Sequence, residues 1–140
     1  MALMWDKSLA VGVKIIDTQH QELFKQVNGL LEAMMKGQGK PEIEKLLGFL
    51  AKYVLEHFAA EERLMTQYKY PAMPTHKQQH ADFVKKFLEL KAVFDVKGPT
   101  GDVSIALNRF VCGWLREHIG TTDTAFGKFL QQAGAKECAA

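Results

Sequence analysis

The chain is poor in cysteine and in long apolar runs. Only two of its 140 residues are cysteine, Cys112 and Cys138. One lies in an amphipathic stretch and the other in the polar tail. They form no CxxC pair and are too few for a disulfide framework, so reduced thiols and a cytoplasmic setting are expected. No apolar run approaches the length of a membrane span. Residues 1–10 lack a charged segment followed by a long apolar run, so no secretory signal is expected. The formal charge of +2, with no basic run interleaved with aromatics, gives no footing for nucleic acid or an anionic membrane. Strand alternation, internal repeats and low-complexity segments are also missing.

What is present is helical period. Hydrophobic residues make up 47% of the chain and charged residues 24%, an ordinary balance for one globular domain with its own core. Residues 1–17 carry no sustained period and read as an irregular arm that Trp5 pins to the core. The first helix is expected over residues 18–36, capped by Asp17 or Thr18, with His20, Leu23, Phe24, Val27, Leu30, Leu31 and Met34 on one face. Pro41 suits the first turn of a second helix, whose inner stripe runs Ile43, Leu46, Leu47, Leu50, Val54, His57, Glu61, Leu64 and Tyr68. Pro71 and Pro74 break the chain, and Thr75 with Gln78 reads as the capping box of a third helix. That helix carries His76, His80, Phe83, Phe87 and Phe94. A fourth begins near Asp102 and turns Val103, Leu107, Phe110, Trp114 and His118 inward. A short last helix is expected over residues 123–132, and the final few residues should fray. Short loops between four amphipathic stripes give an all-α, antiparallel up-down-up-down four-helix bundle over residues 18–120.

The anomaly is polar. All five histidines of the chain, together with Glu61 and Asp123, fall on apolar stripes. A carboxylate is almost never buried unless it is paired or bound to a metal. His57 and Glu61 are four apart and point the same way, as are His76 and His80. Antiparallel helices bring His20, the His57/Glu61 pair, the His76/His80 pair and His118 with Asp123 to one end of the bundle. Left unpaired, each such group would cost roughly 1–3 kcal/mol, and ligation removes that penalty. Seven ligands are too many for a single zinc ion, and the set is too rich in imidazole for calcium or magnesium. Two ions sharing the two carboxylates fit better, with iron first and manganese or cobalt behind it. No Glu-x-x-His occurs, so the carboxylate-rich type of di-iron bundle is not matched. Fewer carboxylates leave more positive charge on the ions, which disfavours oxygen cleavage and favours reversible dioxygen binding.

Asp123 follows His118 by five residues, about 140° too far round an ideal helix. A π-bulge or a break near Gly120 is therefore expected.

The motifs Asp17-x2-His20, His57-x3-Glu61, His76-x3-His80 and Trp114-Leu115-x2-His118-Ile119-x3-Asp123 resemble the hemerythrin family, in particular its single-domain bacterial members. The resemblance covers the chain from Trp5 to about Leu130. It implies a non-haem di-iron centre with an oxo or hydroxo bridge. His76, His80 and His118 would hold one iron, and His20 and His57 the other, with one coordination position open. Glu61 and Asp123 would bridge. Phe58, Trp114, Leu115 and Ile119 would form an apolar pocket for dioxygen. The function implied is an intracellular oxygen carrier or store, not an enzyme, that hands oxygen to a user such as an oxygen-consuming enzyme; no large exposed apolar stripe demands a partner, so a monomer is expected. The alternatives are oxygen or redox sensing, and nitric oxide or peroxide detoxification at the same site.

Overall fold

The computed structural model describes residues 3–138. Four long helices form the bundle: α1 (Lys14–Met35), α2 (Lys40–Gln67), α3 (Met73–Lys97) and α4 (Gly101–Glu117). One π-helical segment, His118–Asp123, carries α4 without interruption into α5 (Thr124–Gln132). There are no strands among the described residues. Each long helix packs on its neighbours in sequence, and α1 closes the ring against α4.

The helices form where the apolar residues recur at helical spacing, but their starts differ from expectation. α1 begins at Lys14, four residues before Thr18, and Val13 stands at its N-cap without a side-chain hydrogen bond. Asp17 does not cap the helix. Its carboxylate reaches back to accept the backbone N–H groups of Val11 (2.8 Å) and Gly12 (3.3 Å), tying the arm to the first turn. α3 likewise begins earlier, at Met73, and no side chain caps it. Pro74 sits in its first turn, where a missing N–H leaves no bond unmade. The Thr75 capping box is therefore not formed. On α4 the buried line is Val103, Leu107, Val111 and Leu115, while Phe110 and Trp114 are half-buried beside it. Both rings pack against the buried Phe83, with centroids 5.1 Å away for Phe110 and 4.5 Å for Trp114. The last turn, Lys136–Cys138, is a short 3-10 turn held by a hydrogen bond from the Tyr68 hydroxyl to Glu137 (2.7 Å). Expected fraying at residues 139–140 lies outside the described residues.

The arm is more ordered than its sequence suggested. Leu3 and Asn28 exchange two hydrogen bonds of 2.7 Å each. Trp5 packs half-buried on the main core as expected, but Leu3, Leu9, Val11 and Val13 are buried more fully. The arm then crosses α5 at Gly127. A Cβ there would lie 2.1 Å from the Val11 carbonyl oxygen, so only glycine allows the approach.

The apolar interior is divided in two. The larger cluster fills the bundle between Leu23, Leu50, Val54, Phe58, Phe83, Phe94, Leu107 and Ile119. The smaller cluster joins the arm (Val11, Val13), Ile16, Leu64, Met65 and α5 (Phe126, Leu130). On three of the four rods the switch between clusters falls at a polar residue: His20 between Ile16 and Leu23, Glu61 between Phe58 and Leu64, Asp123 between Ile119 and Phe126. A polar layer is thus sealed between two apolar ones.

Candidate metal centre

Local geometry delivers seven side chains to that layer. α1 supplies His20 and α2 supplies His57 and Glu61 one turn apart. α3 supplies His76 and His80 in the same way. His118 opens the π segment and Asp123 closes it. The wider π turn absorbs the fifth residue, so both point inward despite the five-residue interval. Gly120 does not break the rod. All seven are buried, with Glu61 at 0% and Asp123 at 1% exposure.

Their atoms converge on two points. Ligand atoms of His76, His80, His118, Glu61 and Asp123 all lie within 4.8 Å of one another, as do those of His20, His57, Glu61 and Asp123. Glu61 and Asp123 belong to both groups. Asp123 Oδ1 lies 3.0 Å from His76 Nε2 and 3.1 Å from His118 Nε2, while its Oδ2 lies 3.0 Å from His20 Nε2. Glu61 Oε1 is 3.1 Å from His80 Nε2 and 3.4 Å from His76 Nε2, and its Oε2 is 3.4 Å from His57 Nε2. Short as these contacts are, none of the four carboxylate oxygens has a hydrogen-bond partner, nor do the Nε2 atoms of His20, His76, His80 and His118. Buried acceptors gathered this closely, two of them shared by both groups, fit a pair of cations.

The charges agree. Burial would depress the His20 and His76 imidazoles, yet the Asp123 and Glu61 carboxylates outweigh it and raise both to about 9. Burial and the Glu61 charge push the Asp123 carboxyl up, but His118, His20 and His76 hold it below the ordinary range. Burial acts likewise on Glu61, and His57 foremost, with His20 and His76, holds it well below. The two ionised carboxylates draw positive charge into the layer, and without metal the protons on His20 and His76 supply it.

Outer contacts fix three of the rings. His57 Nδ1 meets Gln19 Oε1 at 2.6 Å, His80 Nδ1 meets Glu62 Oε2 at 2.9 Å, and His118 Nδ1 meets Gln79 Oε1 at 2.8 Å. Thr122 Oγ1 donates to the same Gln79 oxygen at 2.8 Å. An oxygen acceptor at Nδ1 requires the proton there and leaves Nε2 free as a ligand. Gln19, Glu62, Gln79 and Thr122 were not singled out from the sequence. Their one signal is adjacency: each stands next to a ligand on its own helix, about 100° round, facing the neighbouring rod.

Two of the four apolar residues expected beside the site, Phe58 and Trp114, stack on its rings. Phe58 stacks on His80 with ring centroids 3.8 Å apart, and Trp114 stacks on His118 at 4.2 Å. Leu115 and Ile119 are buried in the larger cluster with Phe58, and the half-buried Trp114 packs against it.

A family model described as Hemerythrin HHE cation binding domain matches residues 11–130. The chain belongs to the hemerythrin family. It is 31% identical over 124 residues to a bacteriohemerythrin of Stenotrophomonas maltophilia, covering 89% of this chain and 78% of that one. A bacteriohemerythrin of Methylococcus capsulatus is 33% identical, covering 93% and 98%. The myohemerythrin of Sipunculus nudus is 30% identical, covering 86% and 87%. The crystal structure of a wild-type hemerythrin superposes with a TM-score of 0.82 at 29% identity, over 91% of this chain and 97% of that one. Myohemerythrin is itself a reference example of the antiparallel four-helix bundle. Hemerythrin domains carry a di-iron centre and bind dioxygen, and the buried imidazole and carboxylate cluster of this chain suits such a centre. No helix among the described residues is long and apolar enough to cross a membrane.

Proposed function

We propose that this hemerythrin binds dioxygen reversibly and serves as an oxygen carrier or store rather than as an enzyme. One observation carries the reading: two buried ion positions share Glu61 and Asp123, but one draws on three imidazoles and the other on two. In the proposal His76, His80 and His118 fill the first position. His20 and His57 hold the second, which is one ligand short and open to a small molecule. The ion pair, when bound, supplies two electrons and that open position. The remaining work belongs to the chain. Five imidazoles against two carboxylates keep the pair electron-poor, which holds it back from oxygen cleavage. Phe58, Trp114, Leu115 and Ile119 deny water and protons to the site, so oxygen leaves as the neutral molecule. The arm and α5 close the opposite side with Val11, Val13, Phe126 and Leu130.

The proposal extends to a cytoplasmic monomer that passes oxygen to an oxygen-consuming enzyme. Its test is optical. Protein loaded with ferrous iron under inert gas is exposed to oxygen and then returned to vacuum. A carrier changes its visible spectrum with one dioxygen per chain and reverts through repeated cycles. Continuous oxygen consumption with an added reductant, or permanent bleaching after a single cycle, would replace the carrier with an oxidase or a sensor.

A further inference from the structure

The outer contacts of the two ion positions are chemically unequal. His57, at the two-imidazole position, has an amide oxygen from Gln19. His118 has an amide oxygen from Gln79. His80 alone has a carboxylate, Glu62, at 2.9 Å across 18 residues of chain. His80 is the one ion-pair partner of Glu62 among the described residues. The Glu62 side chain is 28% exposed at the edge of a groove between α2 and α3, so it is not filling the core. Phe58 lies flat on the His80 ring, with an interplanar angle of 5°, and holds that ring in its plane independently of Glu62.

An imidazole N–H given to a carboxylate shifts electron density toward the opposite nitrogen and strengthens it as a donor. A stronger donor favours the ion of higher charge. We propose that Glu62, acting through His80 as a positioning residue, sets the redox balance of the centre: it lowers the reduction potential and draws the more oxidised state to the three-imidazole position. The inference rests on the reading of the site as a di-iron pair. Gln19 would leave the two-imidazole position the more easily kept reduced, which is the state that takes up oxygen.

The test is a spectroelectrochemical titration of iron-loaded Glu62→Gln, which keeps an acceptor oxygen for His80 and removes the charge. The expected result is two irons per chain and a midpoint potential above that of the unaltered protein. Chelator competition should show ferric affinity falling about tenfold, and ferrous affinity falling less. Glu62→Asp should return toward the original potential. Gln19→Glu gives the mirror image, with a carboxylate behind His57 and a lower potential, and it decides the matter if Glu62→Gln loses iron. Two irons and an unmoved potential in both variants would overturn the proposal, leaving Glu62 as a ring support only. Failure of the unaltered protein to bind iron would overturn the di-iron reading itself, and this proposal with it.

Discussion

Stripping the metal should leave a protein whose stability falls as the solution turns alkaline. In the metal-free chain His20 and His76 are held protonated to about pH 9 by Asp123 and Glu61, against 6.5 for a free imidazole. A raised folded-state value contributes stability that is complete below pH 6.5 and lost as pH rises through about 9. At about 1.4 kcal/mol per pH unit, that interval corresponds to about 3 kcal/mol for each ring. The two rings share both carboxylates, so their joint loss lies between about 3 and 6 kcal/mol. That is a large part of the 5–15 kcal/mol of a typical domain. Glu61 and Asp123, held low, contribute the opposite limb: stability present above the ordinary carboxylate range and lost as pH falls toward acid. The plateau therefore lies between about pH 4.5 and 6.5. Urea denaturation of the chelated protein, followed by helical circular dichroism at pH 6 and pH 9.5, measures the alkaline limb. Asp123→Ala removes the nearer of the two acceptors that both rings share, so it should shrink that limb. Equal midpoints for the unaltered chain at the two pH values, or a limb unchanged in Asp123→Ala, would show that the carboxylates do not hold these rings charged.

Three further outcomes follow from single contacts. Gly127→Ala puts a Cβ 2.1 Å from the Val11 carbonyl oxygen, so the arm must shift at a cost of about 1–3 kcal/mol; thermal denaturation reads the loss, and limited proteolysis should find the arm exposed. Phe58→Ala removes a buried ring that touches both His80 and Trp114, which should cost about 3–5 kcal/mol and shorten the number of oxygenation cycles before irreversible bleaching. Iron should fall to at most one per chain in Glu61→Ala, since that carboxylate belongs to both ion groups, with elemental analysis as the check.

Much of this arrangement was legible because the ligands break a pattern. His57 and Glu61, or His76 and His80, stand out only against an apolar stripe of 3.6-residue period, and that stripe also says which way they face. The five-residue step from His118 to Asp123 announced the π segment because no α-helix could turn both inward. Helix starts were not legible, since they depend on where hydrogen bonds go. Asp17 has the chemistry of a cap, but its carboxylate is taken by Val11 and Gly12, and the helix runs back to Lys14. Pro74 looks like a break and is a first-turn residue. The two-cluster core was hidden as well. It depends on the arm reaching Gly127, more than a hundred residues away, and no local period records such a contact. Gln19, Glu62 and Gln79 were invisible for a related reason. Each serves a histidine on another helix, so its role exists only once the rods are side by side.

Oxygen binding by this chain rests on two iron ions that share Glu61 and Asp123 inside a layer sealed by apolar clusters. Anomalous diffraction at the iron edge from crystals of the loaded protein tests it most directly. Two iron peaks are expected between those carboxylates, one beside His76, His80 and His118 and the other beside His20 and His57. A single peak, or iron bound outside that layer, would contradict it.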